Sequence, residues 1–178
     1  MKKIIAFAGS NSYTSINKQL VTFAGGLLEN SAVEILDLNN FEVPTYSVNL
    51  EQTSGIEANA QKFYSKLEEA DGFIISLAEH NGAYTSAFKS LFDWVSRVNV
   101  KMFQNKPVLL MSTAPGPRGG QSVFDMAADR FPRHNAAIVS TFVLPTFGDH
   151  FKDGKIVNPE FLIKLTHAIK TLETSVLN

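Results

Sequence analysis

The chain has 178 residues, 44% hydrophobic and 19% charged, with a formal net charge of -1 and no cysteine. That is the range of one globular domain; it excludes disulfides, thiolate nucleophiles and cysteine-held metals, and it lacks the charge footprint of a duplex-binding surface. No apolar run approaches the roughly 20 residues that span a bilayer, so a cytoplasmic protein without nucleic-acid or membrane partners is expected.

Met1-Lys2-Lys3 precedes Ile4-Ile5-Ala6-Phe7-Ala8, which is too short for a signal peptide, gives way at once to Gly9-Ser10-Asn11-Ser12, and reads as a first strand. Leu20, Phe23, Ala24, Leu27 and Leu28 follow at helical spacing, and Val33 to Leu38 alternates enough to suit a sheet edge. Ile56, Ala60, Phe63 and Leu67 predict a second helix, Phe73 to Leu77 a strand, and Phe88, Leu91, Phe92 and Val95 a third helix. Val108 to Met111 predicts a strand, Val123 to Phe131 a helix, and Ala137 to Leu144 the last strand. The final helix carries Phe161, Leu165, Ile169, Leu172 and Val176 and starts near Asn158-Pro159, a capping residue followed by proline at the first helical position.

The runs Ile4 to Phe7, Phe73 to Leu77, Val108 to Met111 and Ala137 to Leu144 lack alternation, which predicts strands buried on both faces in a parallel sheet covered by helices. Strict strand-helix alternation implies right-handed crossovers and a doubly wound α/β domain over residues 1–178, without repeats or linkers. Flavodoxin-like and Rossmann-like strand orders both remain open. Either one puts ligands in the crevice beyond the carboxyl ends of the strands.

The loop Gly9 to Asn17 offers hydroxyls and main-chain N–H groups at a helix N-terminus, where an anion is favoured. It has neither the P-loop lysine nor a dinucleotide glycine pattern, so it suits a monophosphate; ordinary helix capping is the competing use. Ala78 to Lys89 follows the third strand and brings amide and aromatic groups to the crevice. His80 there reads as a solvated or locally bonded imidazole, without an acid-base role. Ser112 to Ser122, with three glycines and two prolines, forms either a ligand wall or a plain turn, and Arg118 reads as a solvated cation. No G-x-S-x-G elbow exists, the histidines at 80, 134, 150 and 167 show no nucleophile pairing, and Asp149, His150 and Asp153 read as a solvated turn.

The residues Gly9, Ser10, Ser15, Asn17 and Leu20 after the first strand, the segment Pro44-Thr45-Tyr46, the ungapped stretch from Ala78 to Arg97, and Ser112 with Gly116, Gly119 and Gly120 together resemble the NADPH-dependent FMN reductase family. That family includes quinone, chromate and azo-compound reductases of flavodoxin-like fold. Within the long stretch Glu79, Asn81, Lys89, Asp93, Trp94, Ser96 and Arg97 match the family pattern. Ser12 stands where the family usually has arginine, and Ala78, His80 and Thr85 replace the usual proline, tyrosine and proline. Retention of the phosphate, stiffness of the second loop and acceptor preference are where these departures act.

The resemblance implies a three-layer α/β/α sandwich around a five-stranded parallel sheet of order 2-1-3-4-5. It implies FMN as cofactor, NADPH or NADH as electron donor, and a soluble small-molecule acceptor: quinone, free flavin, azo compound or chromate. Ser10, Ser12, Ser15, Ile16 and Asn17 would hold the FMN phosphate, and Ala78, Glu79, His80, Asn81, Gly82, Ser112, Thr113 and Gly116 would flank the isoalloxazine, with no catalytic side chain and no metal. A homodimer, or a homotetramer of paired dimers, is implied through the helix of Asp93, Trp94 and Arg97, although Asp93 and Arg97 also have the spacing of an i, i+4 ion pair. The alternative is a flavodoxin-type electron carrier that binds FMN without oxidising nicotinamide directly; such carriers present an acidic docking surface, and this chain is near neutral.

Overall fold

A computed structural model describes residues 1–178. In chain order the elements are β1 Lys2–Gly9, α1 Ile16–Gly25, β2 Ser31–Leu36, α2 Val48–Ser54, α3 Ala58–Glu69, β3 Gly72–Leu77, β4 Glu79–His80, β5 Ala83–Tyr84 and α4 Ser86–Val98. Then come β6 Pro107–Thr113, α5 Gln121–Arg130, β7 Ala137–Leu144, α6 Phe147–His150, β8 Phe151–Lys152, β9 Lys155–Ile156 and α7 Pro159–Leu177. Single 3-10 turns at Leu38–Phe41 and Phe131–His134 complete the set.

Five strands form one parallel sheet in the order β2-β1-β3-β6-β7, which is the 2-1-3-4-5 order among the long strands. The order decides between the two topologies the sequence leaves open. β1, β3 and β6 lie inside the sheet with helices on both faces, so Ile4 to Ala8, Phe73 to Leu77 and Val108 to Thr113 are all buried. α1 and α7 cover one face with Leu20, Val21, Ala24, Leu165, Ile169 and Leu172. α3, α4 and α5 cover the other with Phe63, Leu67, Phe88, Leu91, Val95, Val123 and Ala127. Each of the Val, Leu, Ile and Phe side chains among these stabilises the fold by about 1.5–3 kcal/mol when it leaves water.

β7 departs from the expectation of burial on both faces. It is an edge strand in which Phe142 and Leu144 are buried against α7 and Thr141 is exposed. Apolarity alone does not distinguish a central strand from an edge strand with a covered face. Helix limits shift as well: α1 ends at Gly25, so Leu27 and Leu28 pack beyond it, and Ile56 precedes α3. α2 is a helix the periodicity does not reveal, because none of its residues is buried. α7 begins at Pro159 with Asn158 as its cap, as read from the sequence. The stretch of Asp149, His150 and Asp153, expected as a turn, is a one-turn helix followed by the β8-β9 hairpin.

Candidate functional site

β1 ends at Gly9, and the chain turns through Ser10 to Ser15 before α1 begins. The Ser15 hydroxyl caps the helix by accepting from the Lys18 N–H at 3.2 Å, and the Ser10 hydroxyl accepts from the Ser12 N–H at 3.2 Å. The first-turn N–H groups of Ile16 and Asn17 have no partner inside the helix. They stand at its positive end, which suits an anion.

These groups open onto a cavity of about 250 Å³ lined by Ser10, Ser12, Thr14, Ser15, Ile16, Asn17, Ala78, Glu79, His80, Thr113, Ala114 and Pro115. It lies beyond the carboxyl ends of β1, β3 and β6, at the switch point of the sheet. Larger cavities of about 680 Å³ beside β7 and α7, and about 550 Å³ along the outer side of α1, lack this convergence of polar groups from three loops. The smaller cavity is therefore the candidate site. It is below the roughly 300–1,000 Å³ that encloses a whole drug-sized ligand, so it suits a phosphate with its adjoining chain and the inner edge of a ring, the rest of the ligand lying toward the surface. Glu79, the one carboxylate on its wall, has Oε2 turned to the Val123 N–H at 3.0 Å, where it caps α5. The donor set thus fits the phosphate end of FMN without an opposing charge aimed at it.

Asn17 is 2% exposed, and its side chain faces the protein. Oδ1 accepts from Ser76 Oγ at 2.7 Å and from the Thr113 N–H at 3.1 Å, while Nδ2 donates to the Thr113 carbonyl at 3.1 Å. What remains unbonded on this residue is its main-chain N–H and one hydrogen of Nδ2.

The second loop is a β-hairpin in which Glu79 pairs with Tyr84 and His80 with Ala83. Asn81 and Gly82 form its tip, both at positive φ (52° and 78°), as a two-residue hairpin turn requires. They therefore stand off the cavity wall, whereas Ala78, Glu79 and His80 lie on it. Thr85, in the place of the family's usual proline, is buried, donates to the Gly9 carbonyl at 3.0 Å and caps α4 by accepting from the Phe88 N–H at 3.2 Å. Neighbouring Tyr84 is enclosed by Phe88, Phe92 and Phe131, and burial pushes its phenol up to about 12.

In the third loop Ser112 and Thr113 turn their hydroxyls inward, to the Gly119 carbonyl at 2.9 Å and the Leu144 carbonyl at 2.7 Å. The Gly116 carbonyl accepts from Gly119 and Thr146, which anchors the loop behind the cavity. Of the proposed ring wall, Thr113 lies on the cavity and Ser112 and Gly116 do not. Thr14 is a wall residue the sequence reading does not assign, its place inside the first loop being the available signal, and Ala114 and Pro115 lie within the Ser112 to Ser122 stretch read as a ligand wall. Arg118 is exposed and bonds Ser122 at 2.9 Å.

The i, i+4 pair expected between Asp93 and Arg97 does not form. Asp93 instead pairs with Lys89 at 2.6 Å, one turn earlier, and Arg97 reaches Glu51 on α2 at 3.0 Å. Trp94 lies in the core, fully buried, with Nε1 donating to the Pro44 carbonyl at 2.9 Å and Tyr46 packed edge-on at 5.1 Å. Its place in the sequence pattern is accounted for within one chain.

A flavodoxin-like sheet whose switch point carries a lysine-free group of hydroxyls and main-chain N–H groups sets the class: a doubly wound α/β domain whose strand ends suit a phosphate-bearing ligand. Residues 2–149 match the NADPH-dependent FMN reductase family, and the chain belongs to that family. It is 29% identical over 79 residues to a quinone reductase of Escherichia coli (strain K12), a match covering 44% of this chain and 42% of that protein. It is 31% identical over 124 residues to an NADPH azoreductase of Bacillus sp. (strain OY1-2), covering 69% and 66%. In fold it is similar to FerB, a flavoenzyme NAD(P)H:(acceptor) oxidoreductase from Paracoccus denitrificans, with a TM-score of 0.79 at 16% identity over 99% of this chain and 98% of that one.

Proposed function

We propose that this chain binds FMN in the crevice and acts as an NAD(P)H-dependent oxidoreductase, passing electrons from NADPH or NADH to a soluble acceptor such as a quinone, free flavin, azo compound or chromate. The observation that carries this reading is the convergence of Ser10 to Asn17, Ala78 to His80 and Thr113 to Pro115 on one cavity at the sheet's switch point, in a chain of the NADPH-dependent FMN reductase family.

The main-chain N–H groups of Ile16 and Asn17, with the hydroxyls of Ser10, Ser12 and Thr14, hold the phosphate. Ala78, Glu79 and His80 border the ring on one side and Thr113, Ala114 and Pro115 on the other. When bound, FMN supplies the two-electron redox chemistry. The chain's own contribution is position: no side-chain acid or base is assigned, and Glu79 serves as the cap of α5. Asn11 to Thr14 are exposed at the lip of the cradle.

The same reading makes the protein a cytoplasmic homodimer, or a tetramer of paired dimers. No helix is long and apolar enough to cross a membrane, and sedimentation analysis of the purified protein tests the assembly. The enzymatic reading is tested by titrating FMN into purified protein with flavin fluorescence as readout, then following NADPH and NADH oxidation across a panel of acceptors. Saturable quenching and acceptor-dependent oxidation are expected. Protein that leaves the flavin signal untouched refutes FMN binding, and binding without nicotinamide oxidation restores the electron-carrier alternative.

A further inference from the structure

We infer that Asn17 is a positioning residue whose carboxamide sets the spacing between the phosphate end and the ring end of the crevice, without touching the phosphate. The inference rests on the FMN reading above and deepens it. Three of the four hydrogen-bonding opportunities of the carboxamide are taken inside the protein: both lone pairs of Oδ1, by Ser76 and Thr113, and one hydrogen of Nδ2, by the Thr113 carbonyl. The side chain thus grips the main chain of Thr113 on its donor and its acceptor at once.

What those bonds join is the reason to assign a function to them. Asn17 lies in the first turn of α1, whose free N–H groups form the phosphate cradle. Ser76 lies in β3, next to the start of the second loop, and Thr113 ends β6, where the third loop begins. Thr113 is itself tied to β7 through its hydroxyl and the Leu144 carbonyl, at 2.7 Å. One buried amide therefore connects the cradle to the last residues of the strands that carry both ring walls. Ser76 is fully buried and forms no part of the cavity wall. It reaches the ligand through Asn17 alone.

FMN is a two-anchor ligand, with a phosphate at one end and a ring at the other. The gain from the second anchor depends on the distance between the two subsites, and it falls when that distance is free to vary. Removing the carboxamide leaves the Thr113 N–H and carbonyl without partners and lets the first turn of α1 move against β6. The phosphate and the ring would then no longer be held in register.

The test compares FMN with riboflavin, which carries the same ring without the phosphate, in titrations of the wild-type chain, Asn17→Ala, Ser76→Ala and the double variant. The phosphate's benefit is the ratio of the riboflavin Kd to the FMN Kd. In Asn17→Ala this ratio is expected to drop by about tenfold, and in Ser76→Ala by about threefold, the scale of one or two buried hydrogen bonds. Riboflavin affinity should stay within about threefold in each variant, as loss of register rather than of fold requires. Ser76→Ala should add nothing further on the Asn17→Ala background, since the two side chains act as one unit.

Retention of the wild-type ratio in Asn17→Ala overturns the inference. So does a wild-type ratio in Ser76→Ala beside a reduced one in Asn17→Ala, which is the pattern of direct phosphate contact. Parallel loss of both ligands in Asn17→Ala assigns the residue to fold maintenance only. A wild-type ratio near one is a separate failure: it removes the phosphate cradle itself, and the inference with it.

Discussion

Thr85 Oγ1 donates to the Gly9 carbonyl at 3.0 Å, so a side chain at the start of α4 holds the last residue of β1 directly below the cradle. The same hydroxyl accepts from the Phe88 N–H at 3.2 Å, and the residue is 1% exposed. Thr85→Val keeps the shape and removes both bonds, leaving the Gly9 carbonyl and the Phe88 N–H buried without partners. The expected loss is about 1–3 kcal/mol, which lowers Tm by about 2–4 °C per kcal/mol for a chain of this size. Thermal unfolding followed by circular dichroism checks this; an unchanged midpoint shows that neither bond contributes.

Ser10 is 8% exposed and lines the cradle. Ser10→Asp places a carboxylate there, and two like charges about 4 Å apart in a partly solvated site repel by about 4 kcal/mol. FMN affinity should fall by about 10²–10³-fold, with riboflavin affinity much less affected. Calorimetric titration of both flavins reads this directly, and an FMN affinity equal to that of the wild type moves the phosphate to another site.

Gly119 sits at φ +59°, and a Cβ there would come within 2.6 Å of Val143 Cγ1 and 3.1 Å of the Leu144 main chain. Gly119→Ala must therefore shift the third loop, at a cost of about 1–3 kcal/mol, and weaken the Ser112 bond to the Gly119 carbonyl. Gly148→Ala meets nothing within 4 Å and lies at an ordinary φ, so it should be near neutral. Urea denaturation of the pair checks the contrast. Equal midpoints for the two variants contradict the clash.

His134 is buried, with Nδ1 2.7 Å from the Val100 carbonyl and Nε2 without a partner. Burial holds its pKa below the ordinary 6.5, opposed by the Val100 bond and assisted by Arg130 and Lys101. The unfolded chain accordingly binds this proton first as pH falls. The stability associated with neutral His134 is complete above about 6.5 and is lost as pH drops toward the lower folded-state value. His134→Asn preserves a donor toward Val100 and removes the titration. Denaturant midpoints measured from about pH 7 down to about pH 5 should fall more steeply in the wild type than in the variant; parallel curves exclude a contribution from His134.

The central strands were legible because Ile4 to Phe7, Phe73 to Leu77 and Val108 to Met111 are apolar without alternation, and each is buried on both faces. Ala137 to Leu144 carries the same signal and lies at the edge, since hydrophobicity records coverage and not the number of neighbouring strands. The polar turn between β1 and α1 was legible because Ser10, Ser15 and Asn17 are close in sequence. The roles inside it were not. The side chain of Asn17 reaches Ser76 and Thr113, partners 59 and 96 residues away, and Glu79 caps a helix 44 residues on. The Asp93-Lys89 and Arg97-Glu51 pairs likewise turned on which rotamer met which neighbour, where spacing allowed Asp93 and Arg97 to meet each other.

By itself the sequence determined that this is a doubly wound α/β domain with a polar loop at the first strand-helix junction, because period, capping and loop chemistry are local properties of the chain. Only the tertiary structure decided the strand order, the edge position of β7, and which polar groups face the crevice while others bind the protein. Those outcomes depend on contacts between segments far apart along the chain, where packing and hydrogen-bond geometry choose among partners that local pattern leaves equivalent.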